Sequence, residues 1–179
     1  MAAEGQPQRA IPASGQGAFQ QEGGGAMTSE TNGQELVVVG VDGSAESVRA
    51  LGWAARYATA TGARVQALLA WHYPDAAGQP PVGVAPEPVH KQTESRELGI
   101  LDKAIGEACS GLPGPGAEAR LGYGHPAQVL IEASKEADLL VVGSHGHGAF
   151  TGMLLGSVSI HCVTGAFCPV VVVRGSDGG

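Results

Sequence analysis

Two stretches of this chain, Leu36 to Val41 and Leu139 to Val142, are unbroken apolar runs dominated by valine, interrupted only by Gly40. A strand with one face in water alternates apolar and polar positions, so runs without alternation must be covered on both faces. Strands of that kind belong to parallel sheets packed between helices. The remaining sequence supplies the helices. After Asp42, Gly43 and Ser44 break the first run, Val48, Leu51, Ala55 and Ala58 recur at spacings of three and four, which predicts an amphipathic helix ending near Gly62.

The alternation continues along the chain. Val65 to Trp71 reads as a second strand, Tyr73 to Pro88 as a Pro-rich surface loop, and Leu98, Leu101, Ile105 and Ala108 as the apolar face of a second helix. Turn residues from Gly111 to Gly116 close it. A third strand over about 117–121 precedes a helix opened by Gly124, His125 and Pro126, with proline at its first position. The fourth strand, Asp138 to Val142, leads into a Gly-rich segment, a short helix from about Ser157 to Gly165, and a fifth strand, Pro169 to Val173. Parallel neighbours need right-handed crossovers, so this order predicts a single doubly wound α/β sheet of five parallel strands, order 3-2-1-4-5, with helices on both faces. Residues 35–174 form the expected folded domain. Residues 1–34 are too polar and too rich in Gly and Gln to offset their ordering entropy, and they are expected to be disordered, with 175–179 a flexible tail. Met27 would serve as an alternative start.

Composition removes several functions. The formal net charge is -7, which provides no basic footprint for nucleic acid. No apolar stretch approaches the ~20 residues of a membrane helix, and the first residues lack the basic start and apolar centre of a secretory leader. Three cysteines, Cys109, Cys162 and Cys168, form no C-x-x-C pair, so they are expected to be small buried hydrophobes in a reducing, cytoplasmic setting.

In open parallel sheets a ligand binds beyond the carboxyl ends of the strands where their order reverses. That point lies between strands one and four, which end in Val41-Asp42-Gly43-Ser44 and in Gly143-Ser144-His145-Gly146-His147-Gly148. The second of these opens a G-x-x-G-x9-G-S element made by Gly143, Gly146, Gly156 and Ser157. Glycines let backbone N–H groups approach an anion, and the helix starting near Ser157 adds unpaired donors and its positive end, a combination suited to phosphate. The plainer reading is that the glycines relieve crowding at a strand-to-helix turn and that Ser157 is a cap. Asp42 suits a nucleotide's hydroxyl or amine donors, or else caps the first helix. His145 and His147 are too few donors for a metal and read as loop residues or anion contacts, while His125 and His161 read as helix residues.

Neighbouring chemistries fail on particular positions. Between Glu136 and Val173 there is no Lys or Arg, so a Walker A loop is absent. Thr151 stands where a dinucleotide fingerprint would need glycine, and Val142 where a nucleophile elbow around Ser144 would. No committed enzyme is therefore expected.

These segments, together with Gly124-His125-Pro126-Ala127 and Cys168-Pro169-Val170-Val171-Val172-Val173-Arg174, resemble the universal stress protein family from about Gln34 to Arg174. The intact glycine element implies its ATP-binding branch, and the lack of basic residues in the loop points to Mg²⁺ held with the ATP. By that resemblance Gly40, Val41 and Asp42 contact the adenosine, and Ala70 borders the base. Gly143, Gly146, Gly148, Gly156, Ser157 and Val158 line the ribose and phosphates, and Ser144, His145 and His147 of the same loop complete the expected nucleotide-binding set. The family often carries arginine where His145 and His147 stand. The resemblance implies a stress-responsive regulatory binding protein and a homodimer through the C-terminal strand, whose apolar edge also demands cover. The competing functions are an enzyme cleaving ATP between its α and β phosphates, disfavoured by the short turn after strand one, and a nucleotide-free dimerisation module.

Overall fold

The computed structural model describes residues 33–71, 87–114, 116–147 and 154–175. The N-terminal extension up to residue 32, most of the Pro-rich loop, Gly148 and residues 176–179 lie outside them. Five strands, β1 (Leu36–Gly40), β2 (Arg64–Trp71), β3 (Ala117–Tyr123), β4 (Leu139–Gly143) and β5 (Val170–Val173), form one sheet. All four pairings are parallel and the order is β3-β2-β1-β4-β5, as the alternation predicts. Four helices connect them: α1 (Ala45–Thr61), α2 (Glu87–Ala108), α3 (Pro126–Ala133) and α4 (Ser157–Gly165).

The valine run of β1 explains the layering. Val37, Val39 and Val41 belong to one core with Leu51 and Ala54 of α1 and Leu101 of α2. Val38, pointing the other way, packs with Leu68, Leu140, Leu130 of α3 and Cys162 of α4. Successive residues of a strand face opposite sides, so β1 is buried twice over and each helix pair has its own core.

Element ends depart from the sequence reading in small, physical ways. α2 starts at Glu87, so the expected loop loses Glu87 and Pro88 to a helix whose first turn tolerates proline. β3 runs two residues beyond its expected end because Gly122 and Tyr123 pair with Ala70 and Trp71. Gly122 is required there: a Cβ would run into Val129 Cγ1 of α3. Of the cysteines only Cys162 is fully buried, and burial pushes its thiol up to about 11; Cys109 and Cys168 are half-buried. Among the described residues β5 is an edge strand paired with β4, and its four valines are half-buried.

Leu140 has no exposed surface and sits at the centre of the second core. Leu140→Ala is expected to cost about 2–5 kcal/mol, measured as the shift in urea unfolding free energy.

Candidate functional site

The turn after β1 is built by short polar side chains. Gly43 adopts φ +81°, a left-handed conformation natural to glycine, and a Cβ there would also meet Ile100 Cγ2 at 2.8 Å. Ser44 caps α1, its side chain accepting from the Ser47 N–H at 3.2 Å, so the cap does not fall to Asp42. Asp42 instead spans two segments. Its Oδ1 accepts from the Ser44 N–H at 2.9 Å, and its Oδ2 accepts from the His147 N–H at 3.0 Å, across 105 residues of sequence.

Burial pushes the Asp42 carboxyl upward, but hydrogen bonds from Ser44, His147 and Ser47 outweigh it and leave its pKa below the ordinary carboxylate value. The carboxylate is thus ionised at neutral pH and ties the β4 loop to the end of β1.

The glycine element works by close approach. Among the described residues Gly143, Gly146 and Gly156 all lack positive φ, so none is there for a left-handed turn. At Gly143 a Cβ would lie 3.0 Å from the Glu46 carbonyl carbon of α1, and at Gly146 it would strike Asp42 Oδ2. The crowding reading of these two glycines is therefore physically real. Gly156 is looser, with Ser144 O and the His145 Cα both 3.5 Å from a Cβ. Its N–H donates to Ser144 O at 2.7 Å, and Ser159 Oγ donates to Gly143 O at 2.7 Å, which pins the start of α4 to the end of β4. No side chain caps α4. Its first turn borders the crevice, since Gly156, Ser157, Val158 and Ser159 all line it.

That crevice is a cavity of about 540 Å³ at the carboxyl ends of β1 and β4, within the size range of small-molecule sites. From β1 it takes Gly40, Val41 and Asp42, and from β2 Ala70. From the β4 loop come Gly143, His145, Gly146 and His147. Ser144 is buried behind the wall, its Oγ 3.2 Å from His145 Nδ1. Gly148 falls outside the described residues. Sequence reasoning missed Ser47, Leu68, Pro126, Leu130, Val142 and Ser159. Only Pro126 and Ser159 carried a signal, as helix-opening residues; the others are core or cap residues by pattern and reach the cavity through packing. His125 and His161 do not line it. Among the described residues no group of three or more His, Cys, Asp or Glu could hold a metal ion.

The universal stress protein family model matches residues 35–174. The chain belongs to the universal stress protein family. A universal stress protein of Mycolicibacterium smegmatis is 38% identical over 138 residues, covering 77% of this chain and 45% of that relative. One from Thermus aquaticus is 34% identical over 143 residues, covering 78% of this chain and 98% of its own length. The chain thus spans about half the length of the mycobacterial relatives it matches, 45% and 51% in two cases, but nearly all of the Thermus one. Among solved structures, a universal stress protein in complex with cAMP matches with TM-score 0.55 and 31% identity, over 78% of this chain and 95% of that one. UspA of Lactobacillus plantarum matches with TM-score 0.63 and 25% identity, over 78% and 97%. No described helix of this family member is long and apolar enough to cross a membrane.

Because the folded pKa of Asp42 is depressed, its stabilising contribution is complete above the ordinary carboxylate value and is lost as pH falls through the lower folded one. Asp42→Asn is expected to cost about 1.5–3 kcal/mol near pH 7, the worth of hydrogen bonds to a charged group. The gap between parent and variant in urea unfolding should close once the parent's carboxylate is protonated.

Proposed function

We propose that this universal stress protein is a regulatory adenine-nucleotide-binding protein that takes ATP, with Mg²⁺ carried on the phosphates, at the β1/β4 junction. The observation that carries the reading is the cavity's mixed lining. Val41, Leu68, Ala70, Pro126 and Leu130 are apolar residues suited to a base, and the uncapped start of α4 and the glycine loop are suited to phosphate. Gly146 fits a close-approach role, since its missing side chain lets the loop lie against Asp42. The cAMP complex of the 31% identical relative supports an adenine nucleotide as the ligand class. A binding role, rather than a catalytic one, is favoured because the one carboxylate of the described cavity is engaged with two backbone N–H groups. Its place would be the cytoplasm, where ATP is available.

Gly146→Ala forces the Asp42 carboxylate aside and with it the His147 contact, so ATP affinity in calorimetry should fall about tenfold or more, whereas Gly156→Ala, with ordinary contact distances, should retain most of it. Unchanged affinity in Gly146→Ala would place the nucleotide elsewhere. ATP cleavage by the purified protein would favour the enzyme reading.

Assembly is the second part of the proposal: a homodimer through β5, the edge strand among the described residues, whose valines are half-buried. Sedimentation at micromolar concentration with ATP present should give twice the monomer mass, and Val171→Lys should reduce it to one.

A further inference from the structure

The cavity has an unusual charge inventory for a phosphate site. Among the described residues its lining contains one carboxylate, Asp42, and no lysine or arginine. The segment from Glu136 through Val173, which includes the loop residues outside the description, has none either. The lining side chains able to become cationic are His145 and His147. Resting on the reading of this crevice as a nucleotide site, we infer that the phosphate is bound together with a proton on one of these imidazoles, so that ligand affinity is coupled to pH.

The electrostatics lead there directly. A phosphate entering beside an ionised carboxylate meets repulsion, and the positive end of α4 is a fixed partial charge, not a full counter-ion. Imidazole is the side chain whose charge changes between about pH 5 and 8, and an anion within contact distance favours its charged form. Bound protein therefore holds more protons than free protein, and affinity rises as pH falls. The neighbours permit this. His145 Nδ1 lies 3.2 Å from Ser144 Oγ, a hydroxyl that can accept from a protonated ring or donate to a neutral one. His147 is anchored through its main chain to Asp42, while its Nε2 lies near Gly43.

Other charged groups on the packed elements lie outside the lining, including Arg174 just after β5, which donates to the Leu154 carbonyl at 3.3 Å. On α1, Glu46 packs against Gly143 and is paired with Arg49 at 2.6 Å. On α2, Arg96, Glu97 and Lys103 share the helical side of Ile100, which packs at Gly43, but none lines the cavity. His125 precedes α3 and His161 of α4 bonds the Ser157 carbonyl through Nδ1, both outside the lining.

The test uses the full chain and cyclic AMP without Mg²⁺, because a phosphodiester keeps a single charge over the working range and brings no titration of its own. Isothermal titration calorimetry between about pH 8 and 5.5, in buffers of different ionisation heat, reads both affinity and protons taken up, with adenosine as the phosphate-free control. Cyclic AMP should bind about tenfold or more tighter at the acid end, with net proton uptake, as expected for one charge-assisted contact. Adenosine should show neither effect. At the contacting position His→Gln should abolish the uptake, and His→Arg should restore tight binding at pH 8 with a flat profile, measured for His145 and His147 separately after circular dichroism confirms folding. Cyclic AMP binding that is independent of pH and releases or takes up no proton overturns this inference and leaves the nucleotide site standing. Proton uptake that persists unchanged in both His→Gln variants also overturns it. Absence of binding by cyclic AMP, AMP and ATP at every pH overturns the nucleotide reading and this inference together.

Discussion

The burial of β1 on both faces is the constraint on which this structure depends. Val37 and Val39 look into the core shared with α1 and α2, and Val38 into the one shared with α3 and α4. A central strand covered on both sides must have a neighbour on each edge, and β2 and β4 take those places. Since β1 and β4 come from distant parts of the sequence, their adjacency opens a crevice at their carboxyl ends where chain direction leaves the sheet to opposite sides. The site is a geometric consequence of how the sheet is buried.

Within that crevice Asp42 joins structure and chemistry. Its carboxylate accepts one backbone N–H from its own turn and one from the β4 loop, so the two segments that border the crevice are held together by a single ionised group. The same charge makes the pocket inhospitable to an anion unless something offsets it. Among the described lining residues there is no permanently cationic side chain, and no side chain caps the start of α4 that borders the pocket.

The glycines show how two explanations of one motif can both be correct. Gly143 is small because α1 backbone lies against it, and Gly146 is small because the Asp42 carboxylate does. Relief of crowding is the immediate cause. Its result is a loop drawn down against the end of β1, where Gly143 and Gly146 border the cavity. Gly43, by contrast, is a conformational glycine with φ +81°, and it sits in the turn that places Asp42.

Local pattern carried most of the fold. The valine runs and the three-and-four spacing of Val48, Leu51, Ala55 and Ala58 are properties of contiguous residues, and they determined element type, parallel pairing and the location of the crevice. The G-x-x-G-x9-G-S spacing, Asp42 and the absence of Lys and Arg from Glu136 to Val173 were likewise legible, because each is a statement about a short stretch of sequence. Tertiary structure alone decided the rest. That β3 extends to Tyr123 depends on pairing with Trp71, and that Leu68, Leu130 and Val142 border the cavity depends on which core faces it. That Asp42 is bonded to His147 could not be read from residues 105 apart. Periodicity reports which face of an element is buried; only packing reports what lies opposite it.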